Sequence, residues 1–164
     1  MRERLRVLLV APHALSEPRG NSVTLARLAE GLRRTGARVT LLGPEQADPS
    51  SRFARLRASP RARFDIVHAF HAYKAGPRGL ALAKRSAAPL VVTFTGTDVH
   101  QDLARRGRRR VLARVLNAAR ALIVYHSGTL RRLRRYAPAW GAKARVIPAA
   151  VGPGFFACQA KSDR

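Results

Sequence analysis

The sequence predicts an α/β protein: a single Rossmann-like, doubly wound parallel sheet of about six strands. Short aliphatic, β-branched runs alternate with amphipathic helical stretches along nearly the whole chain. The run Leu90–Phe94, set off by Pro89, has no polar alternation, as expected of a strand buried on both faces. The first two strand-like runs are joined by a stretch long enough for a helical crossover, which makes their strands parallel.

Each element follows from local pattern. Leu5–Ala11 reads as the first strand and Pro12–Arg19 as a loop. Asn21 is a good N-cap for a helix in which Leu25, Leu28, Ala29 and Leu32 recur at helical spacing. Gly36 closes that helix in the left-handed conformation, and Arg38–Gly43 is the second strand. The Pro-, Ser- and Arg-rich stretch 44–63 holds at most a short helix over Ser51–Arg57. Asp65–Ala69 is the third strand and Gly79–Arg85 a short helix. Leu90–Phe94 comes fourth, with Thr97 or Asp98 placed to cap a following helix. Arg108–Ala119 carries Val111, Leu112, Val115 and Leu116 on one face, and its Arg108–Arg110 run reads as a solvated face. Ala121–Tyr125 is the fifth strand, Ser127 caps a helix with Leu130 and Leu133, and Ala144–Ile147 is the sixth strand. The expected domain is 1–151, followed by a loose tail over 152–164.

Composition narrows the function classes. Lys and Arg number 32 against 9 Asp and Glu, and only Lys74, Lys84, Lys143 and Lys161 are lysines. Arginine suits bidentate contact with phosphate or carboxylate, so acidic partners are expected, while surface coverage alone is the competing reading. The single Cys158 excludes an internal disulfide, and the five histidines lack zinc-site spacing, so no metal is expected. No apolar run approaches the length of about 20 residues that spans a bilayer. A cytoplasmic protein is expected, with peripheral contact to anionic membrane as a further option. G-x-G-x-x-G, the P-loop and G-x-S-x-G are all absent. No resident cofactor is expected.

In an open parallel sheet the ligand crevice lies outside the carboxyl ends of the strands. Four loops would converge there. Arg19-Gly20-Asn21 opens a helix, where free amides favour an anion. His71 to Lys74 follows the third strand, Thr95-Gly96-Thr97-Asp98 the fourth, and His126-Ser127 the fifth. The candidate catalytic groups are His71, Thr95 and Asp98. Arg19, Gly20, Asn21, Lys74, Gly96, Thr97 and Ser127 are candidates for binding an acceptor or phosphate. His68 points into its strand and reads as a satisfied core histidine, whereas Asp102 reads as surface.

The motifs R-V-L-L-V-A-P, G-N-S-V-T, F-D-I-V-H-A-F-H-A, P-L-V-V-T-F-T-G-T-D-V, A-R-A-L-I-V-Y-H-S and K-A-R-V-I-P-A-A-V, in that order, resemble the N-terminal half of a GT-B glycosyltransferase of the family 4 type. The G-N-x-V-T start, the H-A-x-K of His71 to Lys74 and the T-G-T-D-x-x-x-D-L pattern of Thr95 to Leu103 resemble a narrower branch that includes the selenosugar synthases. Where many family 4 enzymes read H-G-T-D, Thr95 replaces the histidine, as in that branch. The family's V-I-P-N-G-V-D run is Val146-Ile-Pro-Ala-Ala-Val-Gly152 here. The resemblance implies an acceptor-binding domain for glycosyl transfer from a nucleotide sugar. A UDP-sugar would be the co-substrate, held by a second domain with an E-x7-E carboxylate pair that this sequence does not contain. The chain alone is then expected to be inactive and to need a separate C-terminal donor-binding subunit. Its acceptor would be a small or phosphorylated molecule. The alternative is a basic stand-alone α/β module for anionic lipid, nucleic acid or a phosphorylated ligand, of which nucleic acid is the least expected.

Overall fold

The computed structural model describes residues 4–16, 19–47 and 63–149. In chain order the elements are β1 (Arg6–Val10), α1 (Gly20–Arg34), β2 (Arg38–Leu42), a 3₁₀ turn (Pro44–Ala47) and β3 (Ile66–Phe70). Then come α2 (Gly76–Ser86), β4 (Leu90–Thr93), one wide helical turn (Asp98–Asp102), α3 (Arg106–Ala118) and β5 (Ala121–Val124). The remaining elements are α4 (Ser127–Tyr136), α5 (Pro138–Ala142) and β6 (Ala144–Val146). The six strands form one open parallel sheet in the order β2-β1-β3-β4-β5-β6, a Rossmann-like α/β fold consistent with half of a GT-B fold.

Both faces of the sheet are apolar because neighbouring residues of each strand point to opposite sides. Val7, Leu9 and Phe70 pack with Leu25 and Ala29 of α1. Leu8, Val10, Val67, Ala69, Val92 and Leu122 face the other way, into a larger core with Leu80, Leu112, Leu116 and Leu133. The winding explains this division. Going from β1 to β2 the chain moves one way along the sheet, and from β3 through β6 it moves the other way. Right-handed crossovers then place α1 on one face and α2, α3 and α4 on the opposite face. The reversal falls between β1 and β3, which is where an open parallel sheet generally offers a ligand crevice at its carboxyl edge.

α2 lies unusually close to the strands. A Cβ on Gly79 would stand 2.8 Å from the Cβ of Ala69, and one on Gly76 would stand 2.8 Å from Val115 Cγ1. These glycines let the start of α2 press onto β3 and α3, which holds the loop before it against the sheet edge.

All six strands predicted from pattern are present, with several helix boundaries moved. Gly36 has φ +91° and its amide bonds to the Arg33 carbonyl, as a helix-closing glycine should. α2 begins at Gly76, three residues before the apolar pattern shows it, because Pro77 is well suited to a first turn. α1 begins at Gly20 with Arg19 in the cap position, so Asn21 sits inside the first turn and does not cap it. Ser127 is likewise the first residue of α4 after His126, and its Oγ accepts a 3.4 Å hydrogen bond from Arg131. Neither Thr97 nor Asp98 caps a long helix. The chain makes the single turn 98–102 and restarts as α3 at Arg106. α5 carries no signal that periodicity could read. It is fixed by Trp140, whose Nε1 donates to Asn117 Oδ1 at 2.7 Å. The expected helix at Ser51–Arg57 and the tail 152–164 lie outside the described residues.

Candidate functional site

The β3 strand ends at Phe70, and the next residue turns the chain sharply. His71 adopts φ +93°, a conformation that is strained for a side chain with a Cβ. Its amide still bonds to the Thr93 carbonyl at 2.9 Å, so β3 remains tied to β4 as it turns. The His71 ring is 1% exposed. Its Nδ1 faces the backbone amides of Tyr73 and Lys74, each at 3.3 Å, and its Nε2 lies 3.0 Å from Thr97 Oγ1. Two N–H groups aimed at Nδ1 make that nitrogen an acceptor, which leaves the proton on Nε2 to be donated to the Thr97 hydroxyl.

Asp98 organises the adjoining turn. It is wholly buried. Oδ2 accepts from the Ala72 amide at 2.9 Å, and Oδ1 accepts from the amides of Thr95, Gly96 and Val99 at 3.1, 3.0 and 3.2 Å. One carboxylate therefore ties the loop after β3 to the loop after β4. Gly96 must adopt φ +115° for its amide to join this set, while the space where a Cβ would stand is open. Oδ2 also lies 3.7 Å from His71 Nδ1. That approach would be an ion pair if the ring were protonated, but burial lowers the His71 pKa more than the Asp98 charge raises it, with Lys74 lowering it further. The amides directed at Nδ1 also favour the neutral ring, so His71 is neutral.

A second polar layer surrounds the first. Asp102 is 3% exposed and receives Arg108 Nη1 at 2.5 Å. The same guanidinium lies 4.9 Å from the centre of the Tyr73 ring. Asp102 is thus no surface residue, and the half-exposed Arg108 turns its guanidinium onto it. Both join a turn-to-turn network, reached because the 98–102 turn points Asp98 and Asp102 to the same side. The Arg108 guanidinium is held firmly charged, chiefly by its hydrogen bond to Asp102. At the end of β5, the Tyr125 phenol is pushed up to about 12, mainly by burial and also by the Asp98 charge, so it remains protonated.

Lys74 reaches outward from this core. Its Nζ donates to His13 Nε2 at 3.3 Å, linking the loop after β3 to the loop after β1 across the winding reversal. Arg19, Gly20 and Asn21 open α1 at the same carboxyl edge, because β1 feeds directly into that connection. Thr97 and Lys74 are exposed, whereas Thr95 is half-buried and its Oγ1 has no partner among the described residues. Ser127 starts α4 at the end of β5 and is exposed. His71, Lys74, Thr95, Gly96, Thr97 and Asp98 are thus brought together through direct bonds. Arg19 to Asn21 and Ser127 lie at the same edge. His13, Tyr73, Tyr125 and Arg108 belong to the cluster but carry no motif that marks them in the sequence.

His68 lies beneath the site. It is 6% exposed, its Nε2 is 2.7 Å from Thr93 Oγ1, and burial lowers its pKa to about 4. It is a neutral core histidine satisfied by a threonine one strand away.

A groove of about 640 Å³ opens at the opposite edge of the sheet, lined by Leu80, Ala83, Pro89, Leu90, Ala119 and Lys143 among others. It is the weaker candidate despite its volume. Helix carboxyl ends surround it, and Lys143 Nζ already donates to the Asn117 and Ala119 carbonyls at 3.1 and 2.8 Å. Among the described residues no three His, Cys, Asp or Glu side chains converge as a metal site would need, and no helix is long and apolar enough to cross a membrane.

The model for Glycosyltransferase Family 4 matches residues 48–154. No curated protein sequence matches the chain. Among solved structures it is similar to a mutant of the XylFII–LytSN complex, with 11% identity and a TM-score of 0.37. That alignment covers 93% of this chain and 60% of the other, so the chain spans less than two thirds of that structure's length.

Proposed function

Since this chain belongs to Glycosyltransferase Family 4, we propose that it is the acceptor-binding wall of a glycosyl-transfer cleft. Its floor is the edge built from His13, Lys74, Thr97 and the Thr95–Asp98 turn. The observation that supports this most is the joining of three strand-end loops at the winding reversal. Asp98 bridges two of them, and the Lys74–His13 contact adds the third. A parallel sheet places ligands there.

In this reading the acceptor bears an anionic group that Lys74 contacts by charge, displacing or joining His13 as its partner. The Thr97 hydroxyl, fixed as an acceptor by His71 Nε2–H, turns its own proton outward to an oxygen of the ligand. His71 is a positioning residue: it is buried and both its nitrogens are occupied. Asp98 likewise positions, because its oxygens are engaged by backbone amides. Gly96 leaves open space above the turn, so a ligand can approach the backbone closely. Transfer itself breaks the bond from the sugar's anomeric carbon to the leaving diphosphate and forms one to the acceptor nucleophile, whose proton passes to a base. Stabilising the departing diphosphate is an electrostatic task, and it falls to a second Rossmann-like domain that binds a UDP-sugar, on a partner subunit or on further chain. The narrower kinship with the selenosugar synthase branch rests on the G-N-x-V-T start, the H-A-x-K of His71 to Lys74 and the T-G-T-D-x-x-x-D-L pattern of Thr95 to Leu103.

The test is calorimetric titration of the chain with glucose 6-phosphate and with inorganic phosphate, alongside an assay of UDP-glucose turnover. Weak saturable binding that Lys74→Ala abolishes and Thr97→Val weakens, without turnover, is expected. Turnover at an ordinary enzymatic rate by the chain alone would overturn the two-domain reading. Binding indifferent to both substitutions would overturn the site.

A further inference from the structure

Between Leu103 and Ala149 the sequence holds twelve arginines, one lysine and no carboxylate. Ten of these arginines are exposed: Arg105, Arg106, Arg109, Arg110 and Arg114 on or before α3, Arg120 after it, and Arg131, Arg134, Arg135 and Arg145 beyond. The apolar stripe of α3 (Leu112, Val115, Leu116) is consumed by the core. Its opposite side therefore presents Arg106, Arg109, Arg110 and Arg114 as one outward stripe over about two turns. The crossover hand puts α3 and α4 on the same face of the sheet. On the other side Arg27, Arg33, Arg34 and Arg38 are exposed too, but there Arg34 is paired with Glu30 at 3.1 Å, whereas residues 104–148 hold no carboxylate at all.

A surface with cations and no carboxylates suits a partner of opposite charge, and its chemistry selects among polyanions. Single-stranded nucleic acid is held by exposed aromatic platforms on which bases stack. On this part of the chain Tyr125 and Tyr136 are half-buried and Trp140 is buried, so no such platform is present. Base edges are read by Asn and Gln as well as Arg, but the one such side chain here, Asn117, is occupied by Trp140. A bilayer asks for something simpler: cations at headgroup level and exposed aliphatic side chains beside them. Val146 and Ile147, next to Arg145 at the edge strand, are 40% and 52% exposed.

We infer that the α3–α4 face, with Val146 and Ile147 at its margin, docks the protein on an anionic lipid bilayer. The docking is electrostatic and reversible, and it is independent of the function proposed for the crevice. It would hold the carboxyl edge of the sheet near the membrane–water interface, where an acceptor carried by a lipid becomes accessible.

The experiment is co-sedimentation of the chain with vesicles of phosphatidylcholine alone and of phosphatidylcholine mixed with phosphatidylglycerol, with poly(U) RNA as competitor. Two quadruple variants remove equal charge: Arg106, Arg109, Arg110 and Arg114 each →Gln on α3, and Arg27, Arg33, Arg34 and Arg38 each →Gln on the opposite side. Circular dichroism verifies that both are folded. The wild type is expected to bind only the anionic vesicles. The α3 variant should bind more than a hundredfold more weakly, at about fivefold per arginine, and the opposite-side variant within about threefold of wild type. Equal losses in the two variants would show that net charge alone is responsible and overturn the assignment. So would RNA binding tighter than vesicle binding, or no preference for the anionic vesicles. Should the α3 variant be misfolded, Val146→Ser with Ile147→Ser supplies the second reading: weaker binding to anionic vesicles supports the docking face, and unchanged binding overturns it.

Discussion

Asp98→Asn tests the structural claim on which the crevice rests. The carboxylate accepts backbone amides on both oxygens, with Ala72 on Oδ2 and Thr95, Gly96 and Val99 on Oδ1. An asparagine in the same place keeps one oxygen and turns an NH₂ toward the other set. The least costly orientation leaves Oδ1 unchanged and sets the new donor against the Ala72 N–H. One charge-assisted hydrogen bond is then lost, worth about 1.5–3 kcal/mol, and a buried amide is left unpaired, costing about 1–3 kcal/mol. The total is about 2.5–6 kcal/mol, a large part of the roughly 5–15 kcal/mol that holds a domain folded. Urea unfolding followed by circular dichroism measures it directly as a lower midpoint at unchanged slope. Asp65→Asn serves as the control, because that carboxylate is solvent-exposed in its contacts with Arg6 and its loss should move the midpoint far less. A loss under about 1 kcal/mol for Asp98→Asn would refute the reasoning, since it would mean that the amides find other partners.

Other expectations follow from the same geometry. Gly96→Ala should cost about 1–3 kcal/mol in urea unfolding through backbone strain alone, because φ is +115° while the Cβ meets nothing within 4 Å. Gly79→Ala should cost a similar 1–3 kcal/mol for the opposite reason: its Cβ would press on Ala69 at 2.8 Å, although alanine is the better helix former. His68 titrates at about 4 when folded and near 6.5 when unfolded. Its stabilising neutral state is present above pH 6.5, and the contribution declines as pH falls toward 4, where the unfolded chain binds the extra proton. His68→Gln should therefore flatten the acid side of the stability–pH curve, by an amount on the order of 3 kcal/mol between those limits. An unchanged slope would show that His68 is accessible to protons in the folded state.

The sheet was legible because its evidence is local. Short aliphatic runs such as Val7–Val10 and Leu90–Thr93, and the spacing of Leu25, Leu28, Ala29 and Leu32, each announce an element within one or two turns of chain. Gly36 was legible for the same reason. The polar turn at Thr95–Asp98 could be recognised as lying at a strand end, but its main use of Asp98 could not. The bond to Ala72 spans 26 residues, and no spacing rule encodes it. The same applies to Asp102 and Arg108. An acid in a short turn and an arginine in a run of arginines both look solvated until tertiary packing sets the Arg108 guanidinium on Asp102 and over the Tyr73 ring. His71 adds a further case, since nothing in its neighbours forces a positive φ. The conformation is imposed by the Thr93 carbonyl, the Asp98 carboxylate and the close seating of α2 on Gly76 and Gly79.

The most direct test of the crevice is amide chemical-shift mapping of isotopically labelled chain titrated with inorganic phosphate. Saturable shifts confined to the amides of Lys74, Gly96 and Thr97 and those near His13, with Ala118 to Arg120 at the far edge unmoved, are predicted. Shifts centred on that far groove or spread along α3, with the Lys74–Thr97 edge silent, would contradict the placement of the site.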